Sequence, residues 1–79
     1  MTKILNQYRQ EGPRFVAIGT YKGVKIEVVT GWDVNSDKWP VHVYLNGARR
    51  VDVRLIADSH GEAVSAGEAT AIQLIDSGS

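Results

Sequence analysis

The sequence predicts a single α+β domain, in which a four-stranded antiparallel meander precedes one C-terminal helix packed on one face of the sheet. Two observations support this fold class. Apolar and polar side chains alternate within residues 14–56, as expected for strands with one buried face. Residues 59–77 instead carry their apolar side chains at helical spacing. We expect the whole chain, residues 1–79, to form this one domain.

Length and composition indicate an ordinary globular domain. The 79 residues are near the lower limit for a chain that folds alone, and 43% of them are hydrophobic. With no cysteine, neither disulfides nor thiolate metal sites are expected. No apolar run approaches the roughly 20 residues that span a bilayer. The N-terminus is not expected to be a signal peptide, because only Ile4 and Leu5 follow Lys3 as apolar residues. We therefore expect a cytoplasmic protein of a bacterium or a phage, with no membrane association.

The first segment, residues 1–12, is polar apart from Ile4, Leu5 and Tyr8. Their spacing allows about two turns of helix, which Gly12-Pro13 would end. A frayed tail fits the same residues, so a short N-terminal helix and a tail are both open.

The next two runs, residues 14–21 and 24–30, predict a β-hairpin. The second run alternates cleanly between apolar and polar residues, so one of its faces is expected to be buried. A three-residue loop, Tyr21-Lys22-Gly23, would place glycine where positive φ is needed. This loop pairs Ile18 with Ile26.

The loop over residues 31–38 is the longest break in the pattern, and Trp32 and Trp39 bracket it. Tryptophans in such positions cap the end of a core or form a recognition patch, and both interpretations are open. Asp33 and Asp37 share the loop but lack the full calcium-loop pattern, so no metal site is predicted.

Residues 39–45 and 48–56 predict a second hairpin. Asn46-Gly47 resembles a two-residue turn, but that turn would oppose apolar to polar side chains along the whole ladder. A three-residue loop closed by a glycine bulge instead pairs Val41 with Val51. In this register His42 lies opposite Arg50 on the outer face of the sheet.

The helix over residues 59–77 is the most strongly indicated element. Ser59 followed by Glu62 has the form of a capping box, and Gly78 suits a left-handed residue that ends a helix. The predicted apolar stripe of the helix consists of Val64, Gly67, Ala71, Leu74 and Ile75, with Ile72 on its shoulder. The predicted inner face of the sheet consists of Val24, Ile26, Val28, Val41, Val43, Val51 and Val53. Gly67 would let the helix lie close to the sheet.

Three short features resemble a known group of proteins. They are Tyr21-Lys22-Gly23 between two strands, Trp39 before the next strand, and Ile75-Asp76 at the end of the helix. Together they resemble a loose group of small, mostly uncharacterised bacterial proteins with a three- or four-stranded antiparallel sheet and a C-terminal helix. The resemblance covers roughly residues 21–76. It implies the fold and no catalytic residue.

No motif for catalysis or cofactor binding is evident. His42 and His60 are the only candidates for a base at neutral pH, and His60 lacks further ligands at zinc spacing. His42 is expected beside Asp52 as a surface pair, without the nucleophile and enclosed pocket that catalysis needs. The glycines do not form a phosphate loop. We expect no catalytic residue, no cofactor, no metal and no small-molecule substrate.

Charge is unevenly distributed along a chain whose net charge is zero. Residues 1–57 carry nine Lys or Arg against five Asp or Glu, whereas residues 58–79 carry four carboxylates and no Lys or Arg. A basic sheet and an acidic helix are therefore predicted. Such asymmetry marks a binding surface or simply two solvated faces, and both interpretations are open.

The outer sheet face and the tryptophan loop form the predicted binding surface, because tyrosine, tryptophan and arginine dominate interface hot spots. The predicted partner-binding residues are Trp32, Trp39, His42, Tyr44, Arg50 and Arg54. We expect a small non-enzymatic protein-interaction module that binds a protein partner or forms a homodimer. The alternative is a nucleic-acid-binding protein that uses the same basic and aromatic face, on which Phe15 is also expected. Glu27 and Asp52 in the centre of the face argue against nucleic acid, and a merely solvated face is the third interpretation.

Overall fold

A six-stranded antiparallel sheet carries one helix on one of its faces. The structure is a computed structural model, and it describes residues 4–78. Its elements are β1 (Leu5–Glu11), β2 (Arg14–Tyr21), β3 (Val24–Gly31), β4 (Trp39–Leu45), β5 (Ala48–Arg49), β6 (Leu55–Ala57) and α1 (His60–Asp76). The strands lie in the order β1-β2-β3-β4-β5, and β6 also pairs with β4. The predicted α+β fold class is confirmed. No helix within residues 4–78 is long and apolar enough to cross a membrane.

The two ends of α1 are the predicted ones. Ser59 is the N-cap, and its hydroxyl oxygen accepts a hydrogen bond from the Glu62 backbone N–H at 3.2 Å. The Glu62 carboxylate accepts from the backbone N–H of Asp58, one residue before the cap. At the other end Gly78 has a φ of +78°, and its N–H donates to the Ile75 carbonyl. The capping signals therefore fixed both helix boundaries.

The core lies between α1 and the central strands β3 and β4. Its fully buried side chains are Leu5, Ala17, Ile26, Val28, Val41, Val43, Ala63 and Ala71. Gly67 is the point of closest approach, since a Cβ atom there would lie 2.5 Å from Cγ1 of Val28 and 3.2 Å from Cγ1 of Val41. The predicted close packing at Gly67 is confirmed. Val24 and Val53 are only partly buried, and Leu74 lies at the margin of the core.

The N-terminal segment forms a strand, and the short helix considered for residues 1–12 is wrong where the structure describes them. Residues Leu5–Glu11 pair with β2 and give the sheet an outer strand that the four-stranded prediction lacked. Two turns of isolated helix are marginal in water, whereas the edge of β2 offers a row of backbone hydrogen bonds. Leu5 is buried and anchors the strand. Residues 1–3 lie outside the described part.

The first hairpin closes with two residues, Lys22 and Gly23, and not with three. Tyr21 pairs with Val24, and both turn residues have positive φ, +51° and +79°. This type I′ geometry matches the right-handed twist of the strands. The predicted pairing of Ile18 with Ile26 is therefore wrong by one residue, and Ile18 lies opposite Glu27.

The second hairpin also has a two-residue turn. Leu45 pairs with Ala48 across Asn46-Gly47, where φ is +51° and +83°, values for which Asn and Gly are the favoured residues. The predicted three-residue loop is wrong.

With this turn, a continuous strand over residues 48–56 would place apolar residues opposite polar ones. The chain avoids this because the strand is interrupted. The chain leaves the ladder after β5, turns at residues 50–54 and returns as β6. Val41 consequently pairs with Leu55 and not with Val51, whose side chain is 74% exposed. The inner-face assignment of Val51 is therefore wrong.

Helix and sheet are also tied by polar contacts near both ends of α1. Lys38 forms an ion pair with Asp58 just before the helix. At the far end, Asp76 accepts hydrogen bonds from Lys22 Nζ at 2.7 Å and from the Tyr21 hydroxyl at 3.0 Å. These two donors hold the pKa of Asp76 below its usual range. Two of the four carboxylates in residues 58–79 are thus paired with basic side chains of the sheet region.

Replacing Gly67 with alanine should lower the free energy of unfolding, although alanine is the better helix former by about 1 kcal/mol. The added methyl group overlaps Val28, which is fully buried, and overpacking of this kind costs about 1–3 kcal/mol. Urea denaturation would measure the change. Gly61→Ala is the matched control, because nothing lies within 4 Å of a Cβ there, and it should be neutral or slightly stabilising. A Gly67→Ala variant as stable as wild type would contradict this packing.

Candidate functional site

The open face is the side of the sheet opposite α1, and it holds the candidate site. Helix α1 packs against β2, β3, β4 and β6 from one side only. Because side chains alternate along a strand, residues between the buried positions of β3 and β4 point to the open face. The register places Val29 opposite His42, Glu27 opposite Tyr44, and Tyr44 opposite Arg49. Three neighbouring strands thus contribute to one continuous surface.

Two shallow grooves cross the open face and meet at Pro40, His42 and Arg49. The first groove has a volume of about 410 Å³, and its lining includes Arg14, Val29, Trp32, His42, Tyr44 and Arg49. The second has a volume of about 420 Å³, and its lining includes Pro40, His42, Arg49, Val51, Arg54 and Ile56. Both are wide and open to solvent, which suits an extended macromolecular segment better than an enclosed small molecule.

His42 lies where the grooves meet, in a positively charged environment. The Arg49 guanidinium donates a hydrogen bond to Nδ1 of His42 at 3.3 Å. Partial burial, together with the charges of Arg49 and Arg14, lowers the pKa of His42. The imidazole is therefore neutral at pH 7. Its Nδ1 accepts a hydrogen bond from an arginine, whereas a catalytic general base is oriented by a carboxylate.

The basic residues of the domain divide into two groups. Five of the Lys and Arg side chains in residues 4–78 form ion pairs, which are Arg9–Glu11, Lys22–Asp76, Lys25–Glu27, Lys38–Asp58 and Arg50–Asp52. The other three in this described part, Arg14, Arg49 and Arg54, have no carboxylate within ion-pair distance. All three line the grooves of the open face. The uncompensated positive charge of the described domain is thus concentrated at this site.

The structure brings Trp32, His42 and Tyr44 together around the first groove, as the sequence predicted. Trp32 is 52% exposed, and its indole N–H donates to the Asp37 carboxylate at 2.9 Å, which fixes the ring at the rim. Arg54 is exposed and lines the second groove.

Two of the predicted site residues lie elsewhere. Trp39 is on the helix side, where its ring lies 5.5 Å from that of His60 and 6.0 Å from that of Phe15. The core-capping interpretation is correct for Trp39, and the expected place of Phe15 on the open face is wrong. Trp32 and Trp39 therefore do not form one patch.

Arg50 is the second displaced residue. It lies in the interruption after β5 and forms a two-pronged ion pair with Asp52, with distances of 3.1 and 3.0 Å. The neighbour of His42 is Arg49, and the expected His42–Asp52 contact is wrong. The cause is the two-residue turn, which moves the register by one position.

Arg14 and Arg49 are the site residues that sequence reasoning missed. The Asn46-Gly47 dipeptide carried the signal for Arg49, because a type I′ turn between residues 45 and 48 sets Arg49 beside Tyr44. Arg14 is the first residue of β2. Side chains alternate along a strand, and Arg14 is three residues before the buried Ala17, so Arg14 lies on the opposite face.

The loop carboxylates serve local structure. An Asp33 oxygen accepts the Asn35 backbone N–H at 3.0 Å, and Asp37 accepts from Trp32. Within residues 4–78, no group of three or more His, Cys, Asp or Glu side chains is placed to hold a metal ion.

The chain matches no protein-family model, and no curated protein or solved structure is significantly similar to it. The resemblance to small bacterial proteins stays a prediction.

Replacing Arg49 with methionine should raise the pKa of His42 toward its ordinary value of about 6.5, because a neighbouring positive charge is removed while the burial remains. An NMR titration of the imidazole would measure it. Arg50→Met is the matched control and should leave the His42 pKa unchanged, since Arg50 is paired with Asp52. The reverse result, a shift with Arg50→Met only, would contradict the register of the second hairpin.

The lowered pKa of His42 also determines how its contribution to the free energy of unfolding depends on pH. A histidine whose folded-state pKa lies below its unfolded value favours the folded state above about pH 6.5, and this contribution is lost as the pH falls below that value. Arg49→Met should reduce the loss of stability caused by His42 on acidification.

Proposed function

We propose that the protein is a small non-enzymatic interaction module that binds a protein partner through the open face. One observation supports this proposal. Every arginine of residues 4–78 that lacks a carboxylate partner lies on this one face, around His42 and Tyr44. Exposed arginines held without counter-charges repel one another and contribute little to folding. Their presence in one place is better explained by a partner than by the stability of the domain.

The composition of the face supports a protein partner. Aromatic rings and arginines are enriched in protein interfaces, and Trp32, Tyr44 and Arg49 surround one groove. Aliphatic surface lies beside them, because Ile56 is 72% exposed at the edge of the second groove. The contacts of His42 do not resemble those of a catalytic base, because its ring nitrogen accepts from a guanidinium.

Binding of nucleic acid is the second candidate, and one structural observation favours it. Asp52, expected in the centre of the face, is bound to Arg50 outside it, and Glu27 is paired with Lys25 at 3.7 Å. The face is therefore more positive than the sequence indicated. A sequence pI near 6.7 and a net charge of zero nevertheless give the chain little long-range attraction for a polyanion.

The proposal is tested by the double variant Tyr44→Ala with Arg49→Ala. A photo-reactive phenylalanine derivative replaces Trp32 at the rim of the groove, and adducts formed in cells of the native host are identified by mass spectrometry. The double change should abolish adduct formation and the binding of the purified partner. The variant should stay folded, with the free energy of unfolding lowered by about 1 kcal/mol, because both side chains lie outside the core but Tyr44 is partly buried on a central strand.

Tyr8→Ala with Arg50→Ala is the matched control, since it removes the same residue types from positions outside the two grooves. It should retain the adduct and the affinity. The proposal is wrong if the Tyr44 and Arg49 double variant binds the partner as wild type does, or if the two double variants lose binding equally.

A further inference from the structure

We propose that the segment bound by the open face is acidic and partly apolar, with carboxylates that pair with Arg14, Arg49 and Arg54. The inference rests on the proposed function and specifies the chemistry of the partner. The three arginines line two grooves that meet at Arg49, so an extended segment that crosses both grooves passes all three.

These three arginines lack carboxylate partners although carboxylates are abundant in the chain. Asp and Glu are as numerous in the chain as Lys and Arg. Each of the other five basic side chains in residues 4–78 has an ion-pair partner, including Arg50, which is adjacent in sequence to Arg49. Arginines without a carboxylate partner are therefore confined to one surface of the described residues. This pattern is expected where the counter-charge comes from another molecule.

The charges on this surface act on one another. Arg14 and Arg49 both disfavour protonation of His42, so the two guanidinium groups and the imidazole share one electrostatic environment. Glu27 on this face is engaged by Lys25, and Asp33 at the end of the first groove accepts the Asn35 backbone N–H. An incoming carboxylate would relieve the repulsion between the arginines and form charge-assisted hydrogen bonds.

Apolar surface lies beside the arginines. Ile56 is paired with Pro40 across the β4–β6 ladder, so both lie on the open face. Ile56 and Val51 are 72% and 74% exposed, and both line the second groove with Arg54. A purely polar ligand would leave these side chains in water, so the segment that fits best mixes apolar residues with its carboxylates.

A second copy of this chain is a poor source of such a segment. The carboxylates on and around α1 are already used: Asp58 pairs with Lys38, Asp76 pairs with Lys22, and Glu68 accepts the Leu5 backbone N–H at 3.1 Å. Breaking these contacts would offset the gain at the new interface. A different protein with unpaired carboxylates complements the open face better.

Nucleic acid shares the negative charge but fits the surface less well. Its recognition on a sheet relies on stacking of bases on exposed aromatic rings. Among the aromatic rings of residues 4–78 that line the grooves, only Trp32 is more than half exposed, and its hydrogen bond to Asp37 fixes it at the rim. The exposed aliphatic side chains at the opposite end have no counterpart in such a ligand.

The test uses the intact protein and a fluorescein-labelled peptide of three Glu-Glu-Leu repeats, with affinity measured by fluorescence anisotropy at low salt. The peptide with Gln in place of every Glu and a thymidine oligonucleotide of about 15 nucleotides are the comparison ligands. Wild type should bind the Glu peptide, and the triple variant R14Q/R49Q/R54Q should bind it at least about tenfold more weakly. The Gln peptide should bind at least about tenfold more weakly than the Glu peptide to wild type.

The matched control is the triple variant K22Q/K38Q/R50Q, which removes the same charge from residues that are ion-paired and lie outside the grooves. It should change the affinity less than about twofold, and circular dichroism should show both triple variants folded. Equal losses in the two triple variants would overturn the proposal as a net-charge effect. Tighter, arginine-dependent binding of the oligonucleotide would overturn it in favour of nucleic acid. If the Glu peptide does not bind but the photo-reactive residue at position 32 still forms an adduct with an identified partner, the acidic character of the partner segment is wrong and the proposed function stands. If neither the peptide nor a partner binds, the proposed function is wrong as well.

Discussion

The contact of Gly67 with Val28 and Val41 fixes how closely the helix can approach the sheet. Without a side chain at this position, the backbone of α1 lies against the branched methyl groups of β3 and β4. The small residues Ala63 and Ala71, one turn on either side, extend the same close approach and are fully buried. One helix seated in this way covers one face of the central strands. The opposite face of these strands is not covered by the helix.

Turn chemistry determines which side chains that free face carries. One type I′ turn sets the register of β2 with β3, and a second sets the register of β4 with β5. The second turn brings Arg49 onto the open face beside Tyr44 and directs Arg50 away from it. It also opposes apolar to polar residues further along the strand, and the chain resolves this by leaving the ladder over residues 50–54. A local turn preference thus outweighed the continuity of a strand, and the interruption exposed Val51.

The fold class and the helix were predictable because their signals are local and agree with one another. Ser59 and Gly78 mark the helix ends, and the spacing of the small and apolar residues between them gives the buried face. Strand β1 was not predictable in this way, because its stability comes from pairing with β2 and only Leu5 of its side chains is fully buried. The candidate site was half predictable. Tyr44 and His42 follow from alternation along one strand, whereas the choice of Arg49 over Arg50 depends on a one-residue register, and the lack of a carboxylate partner is visible only in three dimensions.

The central claim is that α1 covers the Val28 side of the sheet and leaves the Val29 side open. Nuclear Overhauser effects between the α protons of Gly67 and the valine methyl groups test it most directly, because they are observed only over a few ångströms. The structure predicts strong effects from Gly67 to the methyl groups of Val28 and Val41, and none from any residue of α1 to Val29 or to the ring of Tyr44. Effects between the helix and Val29 or Tyr44 would contradict the account, since the face assigned to a partner would then be covered by the protein itself.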